Sequence, residues 1–250
     1  MVDDRYRIEG QLGRGRFGVV YLARHIALDR TCALKVIPVR TTTAEVLEEA
    51  RKLAAVPAND NVVKVLDAGA WDDNHVFIAS ELCMDGSLGD RAAGEALDPA
   101  TGSGAISDAW RGLDHLHQHE LLHLDIRPAN ILMANDTPRL VDFGLARWMH
   151  DADVEDWYGP HAAPELVESG RAAPTSDIYA MAMTLAHILT AGSICRPFPV
   201  NAQLVQASAD GDWPRLEELP AAASKSSRSG DAVRLRGAPA VGERVQAPSR

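Results

Sequence analysis

His-Leu-Asp-Ile-Arg-Pro-Ala-Asn occupies positions 123–130, and Asp-Phe-Gly follows at 142–144. Asp125 and Asn130 stand five positions apart, and Asp142 comes twelve after Asn130. One aspartate able to take a hydroxyl proton, with an asparagine and a second aspartate offering hard oxygen ligands, is the smallest set that a nucleoside triphosphate and its Mg²⁺ require. The spacing reads as a phosphoryl-transfer site. Asp125 is its candidate proton acceptor, and Asn130 and Asp142 are its candidate metal ligands.

Upstream, Gly13-Arg14-Gly15-Arg16-Phe17-Gly18-Val19-Val20 joins two apolar stretches, Tyr6–Leu12 and Val19–Ala23, and predicts strand, turn, strand. Glycines without a Cβ let backbone N–H groups come close to phosphate oxygens. A dinucleotide fold uses the same glycines but follows them with a helix, whereas Val19-Val20-Tyr21-Leu22 favours a strand. An ordinary hairpin is the alternative for this segment. Next, Cys32–Ile37 is a short apolar strand carrying one cation, Lys35. An ammonium there has little reason to exist unless phosphates and a carboxylate surround it. The carboxylate is expected on a helix from Thr43 to Val56, where Val46, Leu47, Ala50, Leu53 and Ala54 recur at helical spacing. Glu49, one turn before Leu53, is preferred over Glu45 and Glu48, the alternative being a solvated helix face.

Ala163-Pro164-Glu165 and Ser176-Asp177-Ile178-Tyr179 complete an ordered set of seven elements. On that set the chain resembles the eukaryotic-type (Hanks-type) Ser/Thr protein kinases, also found in bacteria, over roughly residues 5 to 200. The resemblance implies an α+β, bilobal, protein-kinase-like fold. A small antiparallel β N-lobe with one helix is expected over residues 1–82, and a mainly helical C-lobe, incomplete at the C-terminus, over residues 83–220. It also implies ATP and Mg²⁺ as cofactors and a protein substrate whose Ser/Thr hydroxyl receives the γ-phosphate. Gly13, Gly15 and Gly18 would cover the phosphates, while Lys35 would hold them and pair with Glu49. Asp125 would orient the hydroxyl, Arg127 would stand beside the transferring phosphate, and Asn130 and Asp142 would bind Mg²⁺. Glu81 and Cys83 would meet adenine through their backbone, and Val20, Ala33 and Leu132 would sandwich the purine. Ser80, being small, would leave a back cavity open.

The departures from the family pattern carry their own expectations. Leu124 replaces the arginine usual before the catalytic aspartate, and residues 145–162 contain no Ser or Thr, only Tyr158 with Asp151, Asp153, Glu155 and Asp156. Activity is therefore expected not to depend on phosphorylation of this segment. Arg127 stands in place of lysine and keeps the charge while replacing a compact ammonium with a planar fork, which predicts reduced transfer. The threonine and tyrosine that the family uses to dock substrate are missing from Trp157–Ala162.

From Ala221 to Arg250 the chain is rich in Ala, Ser, Arg, Gly and Pro and lacks apolar periodicity. Its six basic residues against two acidic oppose the chain's net charge of −10. That composition predicts a disordered basic tail, either natural or the product of a changed reading frame. A lobe shortened this way predicts marginal stability or a stabilising partner chain, with Glu165 left without its usual arginine. The net charge of −10 argues against specific nucleic acid. Three cysteines without C-x-x-C spacing point to neither disulfides nor zinc. No apolar run is long enough for a membrane span, and the first residues are no signal peptide, so a cytoplasmic location is expected. His115, His117, His119 and His123 invite a metal reading, but Leu113, Leu116 and Leu121 make the stretch an ordinary helix beneath the catalytic loop. His123 is expected to pack under the Asp142–Gly144 turn with Phe143 and Leu53. Two other functions stay open: a catalytically weak pseudokinase serving as an ATP-binding or scaffold module, and a small-molecule phosphotransferase.

Overall fold

The computed structural model describes residues 1–15, 18–39, 47, 51–150 and 160–192. Glu49, the acidic stretch at 151–156, Tyr158 and the basic tail lie outside the described residues. Five strands, β1 (Tyr6–Arg14), β2 (Val19–His25), β3 (Arg30–Pro38), β4 (Val65–Asp72) and β5 (His75–Ser80), form one antiparallel sheet in the order β1-β2-β3-β5-β4. The two-residue period of a strand sorts β3 into two faces. Cys32, Leu34 and Val36 join Tyr6, Ala23, Phe77 and Ala79 in a core on the outer face. Ala33 and Lys35 are thereby turned toward the rest of the chain. Register shifts in β1 at Ile8/Gly10 and Gln11/Gly13 bend the strand ahead of the glycine turn.

The second layer is mainly helical. A short helix α1 (Leu88–Arg91) begins at Ser87, whose hydroxyl accepts from the Asp90 amide. The long α2 (Pro99–Gln118) starts from Asp98, which accepts from the amides of Ala100 and Thr101, with Pro99 preset for a first turn. Its buried stripe, Gly102, Ile106, Ala109, Leu113 and Leu116, repeats every three or four residues and faces the core. Gly102 and Gly112 admit close neighbours, because a Cβ at Gly112 would stand 2.5 Å from the Asn61 carbonyl oxygen. Beyond α2 come β6 (Leu121–Leu122), β7 (Ile131–Ala134), β8 (Thr137–Leu140) and β9 (Arg147–Trp148), which form two small ladders, β6-β9 and β7-β8. Helices α3 (Pro164–Ser169) and α4 (Pro174–Leu189) close the described part. The expected α+β, two-lobed arrangement is thus present. The helix expected from Thr43 to Val56 is described only at 47 and 51–55.

Candidate active site

The catalytic loop is held from below by one buried carboxylate. Asp177, fully buried in the first turn of α4, accepts from the His123 amide at 2.9 Å, from the Leu124 amide at 2.7 Å and from His117 Nε2 at 2.9 Å. Leu124 takes a left-handed φ of 63°, which turns the chain sharply just before Asp125. A 3₁₀ turn at Pro128–Asn130 then brings the chain back. The Asn130 amide nitrogen donates to the Asp125 carbonyl at 2.8 Å and to Asp125 Oδ2 at 2.7 Å. Burial raises the Asp125 carboxyl above its ordinary value, against the lowering effects of Arg127 and His123. Arg127 Nε lies 3.5 Å from Asp125 Oδ1.

Asp142 has a φ of 65°, and its carboxylate meets the β3 lysine, with Lys35 Nζ 2.8 Å from Oδ1. Burial pushes this carboxyl up, but the charge and hydrogen bond of Lys35, with His123 and the Gly144 amide, bring it below its ordinary range. Phe143 lies tilted against the buried His123, 4.7 Å away between ring centres, and belongs to the core that includes Leu53. The internal column expected under the Asp142–Gly144 turn is present. His117, which the sequence reading left in an ordinary helix, anchors Asp177, and the run of histidines around it was the signal. His115 and His119 bond backbone oxygens of Pro57 and His115 instead, and no group of three potential metal ligands occurs among the described residues.

A cleft of about 680 Å³ opens between the sheet and the helices. Gly13, Gly15, Val20, Ala33 and Lys35 line its roof, and Glu81, Cys83, Arg127, Asn130, Leu132 and Asp142 its back and floor, with Ser80 at the rear. Glu81 Oε1 accepts from the Lys64 amide at 2.8 Å and from Arg139 at 2.7 Å, which fixes the connecting segment to β8. Sequence reasoning missed Arg139, since nothing in its local spacing marks it. Burial first, then Glu81, push the Cys83 thiol up to about 11, so it is no nucleophile at neutral pH. Gly18 is not among the residues lining the cleft, and a Cβ there would stand 2.1 Å from the Val36 carbonyl oxygen, so its lack of a side chain serves the approach of the turn to β3. Asp125 is not among the residues lining the cleft; it lines a separate, smaller cavity and meets the cleft through its contacts with Asn130 and Arg127.

The donor set suits a hard divalent cation. The Asn130 amide nitrogen is engaged by Asp125, which leaves its carbonyl oxygen as the acceptor, and Asp142 is held in its ionised form. Glu165, expected to lack a partner, has hydroxyl partners instead. Its Oε1 accepts from Ser176 Oγ at 2.8 Å and from Thr175 Oγ1 at 3.4 Å. Where the family carries arginine, Leu124 packs with Leu122, Leu145, Ala163, Leu166 and Ala172 in an apolar cluster.

Comparison with known proteins places this geometry. The family model for the protein kinase domain matches residues 6–228. The Ser/Thr-protein kinase PknL of Mycobacterium tuberculosis is 30% identical over 263 residues, covering 94% of this chain and 65% of that protein. The Ser/Thr-protein kinase PknF of the same species is 33% identical over 238 residues, covering 86% of this chain and 49% of that protein. Death-associated protein kinase dapk-1 of Caenorhabditis elegans is 32% identical over 206 residues, or 76% of this chain and 14% of that protein. The chain spans less than two thirds of the length of these relatives.

Proposed function

The chain belongs to the protein kinase domain family, and on that premise we propose that it transfers the γ-phosphate of ATP to Ser/Thr hydroxyls of protein substrates. The observation that carries this reading is the convergence of four residues far apart in sequence. Lys35 lies 2.8 Å from Asp142 in a cleft large enough for a nucleotide, and Asn130, on the same cleft, lies 2.7 Å from Asp125. A module that only bound nucleotide would have no use for Asp125 as a proton acceptor, and the glycine turn over the cleft, with Ala163-Pro164-Glu165, favours a protein kinase over a small-molecule phosphotransferase.

In this reading the purine lies between Val20 and Ala33 above and Leu132 below, with its edge toward the backbone of Glu81 and Cys83. Gly13 and Gly15 cover the phosphates, and the Lys35 ammonium holds two of them. Protein kinases use ATP with Mg²⁺. Here the Asn130 carbonyl oxygen and the Asp142 carboxylate would hold the ion, which supplies charge neutralisation along the triphosphate. Asp125 acts on the acceptor. Its Oδ2 is occupied by Asn130, so Oδ1 is the atom that orients the substrate hydroxyl and takes its proton as the new O–P bond forms and the bond to ADP breaks. Burial raises the basicity of that oxygen in the useful direction. Arg127 places positive charge next to it.

No described helix is long and apolar enough to cross a membrane, and the reading assigns the reaction to the cytoplasm, with a protein as acceptor. The test is transfer of labelled phosphate from Mg-ATP to a generic protein acceptor by the wild type beside Asp125→Asn. Transfer by the wild type, reduced at least about a hundredfold in the variant, is expected. Equal transfer by both would overturn the assignment of Asp125.

A further inference from the structure

Behind the catalytic loop lies a second cavity of about 310 Å³, walled by Asp125 and Arg127 on one side and by His161, Leu166 and His187 on the other. Arg127 also lines the large cleft, so the two spaces adjoin at that side chain. Most of the wall is apolar, yet it contains a concentration of unmet hydrogen-bonding capacity. Among the described residues five buried side-chain polar atoms lack a hydrogen-bond partner, and three of them belong to residues of this one cavity: His161 Nδ1, His161 Nε2 and Arg127 Nε, the last in an ion pair with Asp125 at 3.5 Å. His161 is only 7% exposed and stacks on His187 with ring centres 5.2 Å apart. Folded proteins pair most such atoms, and a cluster of unpaired ones in a cavity marks a place where a polar group from outside completes the set.

We propose that this cavity is a substrate subsite for an anionic side chain, carboxylate or phosphate, carried by the acceptor protein within a few residues of the phosphorylated hydroxyl. The proposal rests on the kinase reading above and names the substrate class of the same site. Charge decides the sign of the ligand. Arg127 from the catalytic loop and the imidazoles of His161 and His187 face the space, and Asp125 is the one carboxylate among its described lining residues. Asp125 already spends one oxygen on Asn130 and has Arg127 beside it. A substrate lysine would meet Arg127 and His187, whose repulsion adds to burial in keeping a proton off His161. A carboxylate or phosphate instead accepts from the Arg127 guanidinium, beside its contact with Asp125, and from an imidazole N–H, and its charge offsets that repulsion. Position agrees with this. A side chain seated here lies beside Asp125, so its neighbour in the peptide is the residue that presents the hydroxyl.

The experiment uses the full chain and a set of peptides with one serine in an alanine background, with Asp, phosphoserine or Lys placed at each flanking position in turn. Binding is read by fluorescence anisotropy on versions with the serine replaced by alanine, and transfer is read as kcat/KM on the serine versions. Asp or phosphoserine at one flank is expected to tighten binding about tenfold over the alanine peptide, through KM rather than kcat. An advantage confined to phosphoserine identifies phosphate as the anion, and one shared by Asp identifies the carboxylate. In His161→Phe, which keeps the ring and removes both nitrogens, the ratio between acidic and alanine peptides is expected to fall toward one. Equal binding of acidic, alanine and lysine peptides by the wild type overturns the proposal without any variant, as does a preference for lysine or a ratio unchanged in His161→Phe. Because the anisotropy arm needs no turnover, loss of phosphate transfer to every peptide counts against the kinase reading alone.

Discussion

Replacing His161 by phenylalanine should make the protein more resistant to acid. Burial, with repulsion from His187 and Arg127, lowers the His161 imidazole to about 3, against about 6.5 for an exposed histidine. The unfolded chain therefore takes up this proton first as the pH falls. Stability is complete above about pH 6.5, declines through the window below it, and stops declining below about pH 3. At about 1.4 kcal/mol per unit, the wild type loses ~3 kcal/mol from this residue by about pH 4.5. His161→Phe has no such proton to exclude, and it also removes two buried nitrogens without partners. Urea unfolding of both proteins, followed by tryptophan fluorescence near pH 7.5 and pH 4.5, isolates the effect, since every carboxylate is common to the two. The variant's advantage should grow by ~3 kcal/mol between the two conditions. Parallel losses in both proteins would refute the reasoning and mean that His161 protonates freely in the folded state.

Two further outcomes are expected. Arg127→Lys should raise kcat, since a compact ammonium beside the transferring phosphate replaces a fork whose Nε is turned toward Asp125, and steady-state assays giving unchanged or lower activity would contradict this. Phosphatase treatment should leave turnover unchanged, because Leu124 is packed among Leu122, Leu145 and Leu166 where a phosphate-binding arginine would stand, and a large loss on treatment would refute it.

The residues proposed to carry the chemistry stand out in the sequence because the kinase pattern fixes them by local spacing. Asp125 and Asn130 share one tight loop, and Lys35 and Ala33 share one face of a strand by the two-residue period; Lys35, Ala33 and Asn130 line the cleft, and Asp125 is bonded to Asn130. What escaped the sequence depends on partners distant along the chain. Glu165 looked orphaned because its usual arginine could not be found, yet the first turn of α4 supplies two hydroxyls, Thr175 and Ser176, at the same carboxylate. Gly18 was read as a phosphate contact, but its close neighbour is the backbone of β3, a constraint visible only once the strands are paired. His161 drew no notice within Trp157–Ala162, where only the absence of the family's threonine and tyrosine stood out. Its burial against His187 and beside Arg127 follows from three segments meeting, which no local pattern encodes. His117 belonged to a conspicuous run, but which of four histidines reaches Asp177 is decided by the crossing of α2 over α4. The pairing expected between Lys35 and Glu49 lies outside the described residues, whereas the contact of Lys35 with Asp142 is described at 2.8 Å.

The central claim is that Lys35, Asp125, Asn130 and Asp142 form one Mg-ATP site. Titration of ATP with and without Mg²⁺ into the wild type and into Asp142→Ala tests it most directly. Binding by the wild type should tighten at least about tenfold with Mg²⁺, and Asp142→Ala should lose that dependence. Mg²⁺-dependent binding of equal strength in both proteins would contradict the account.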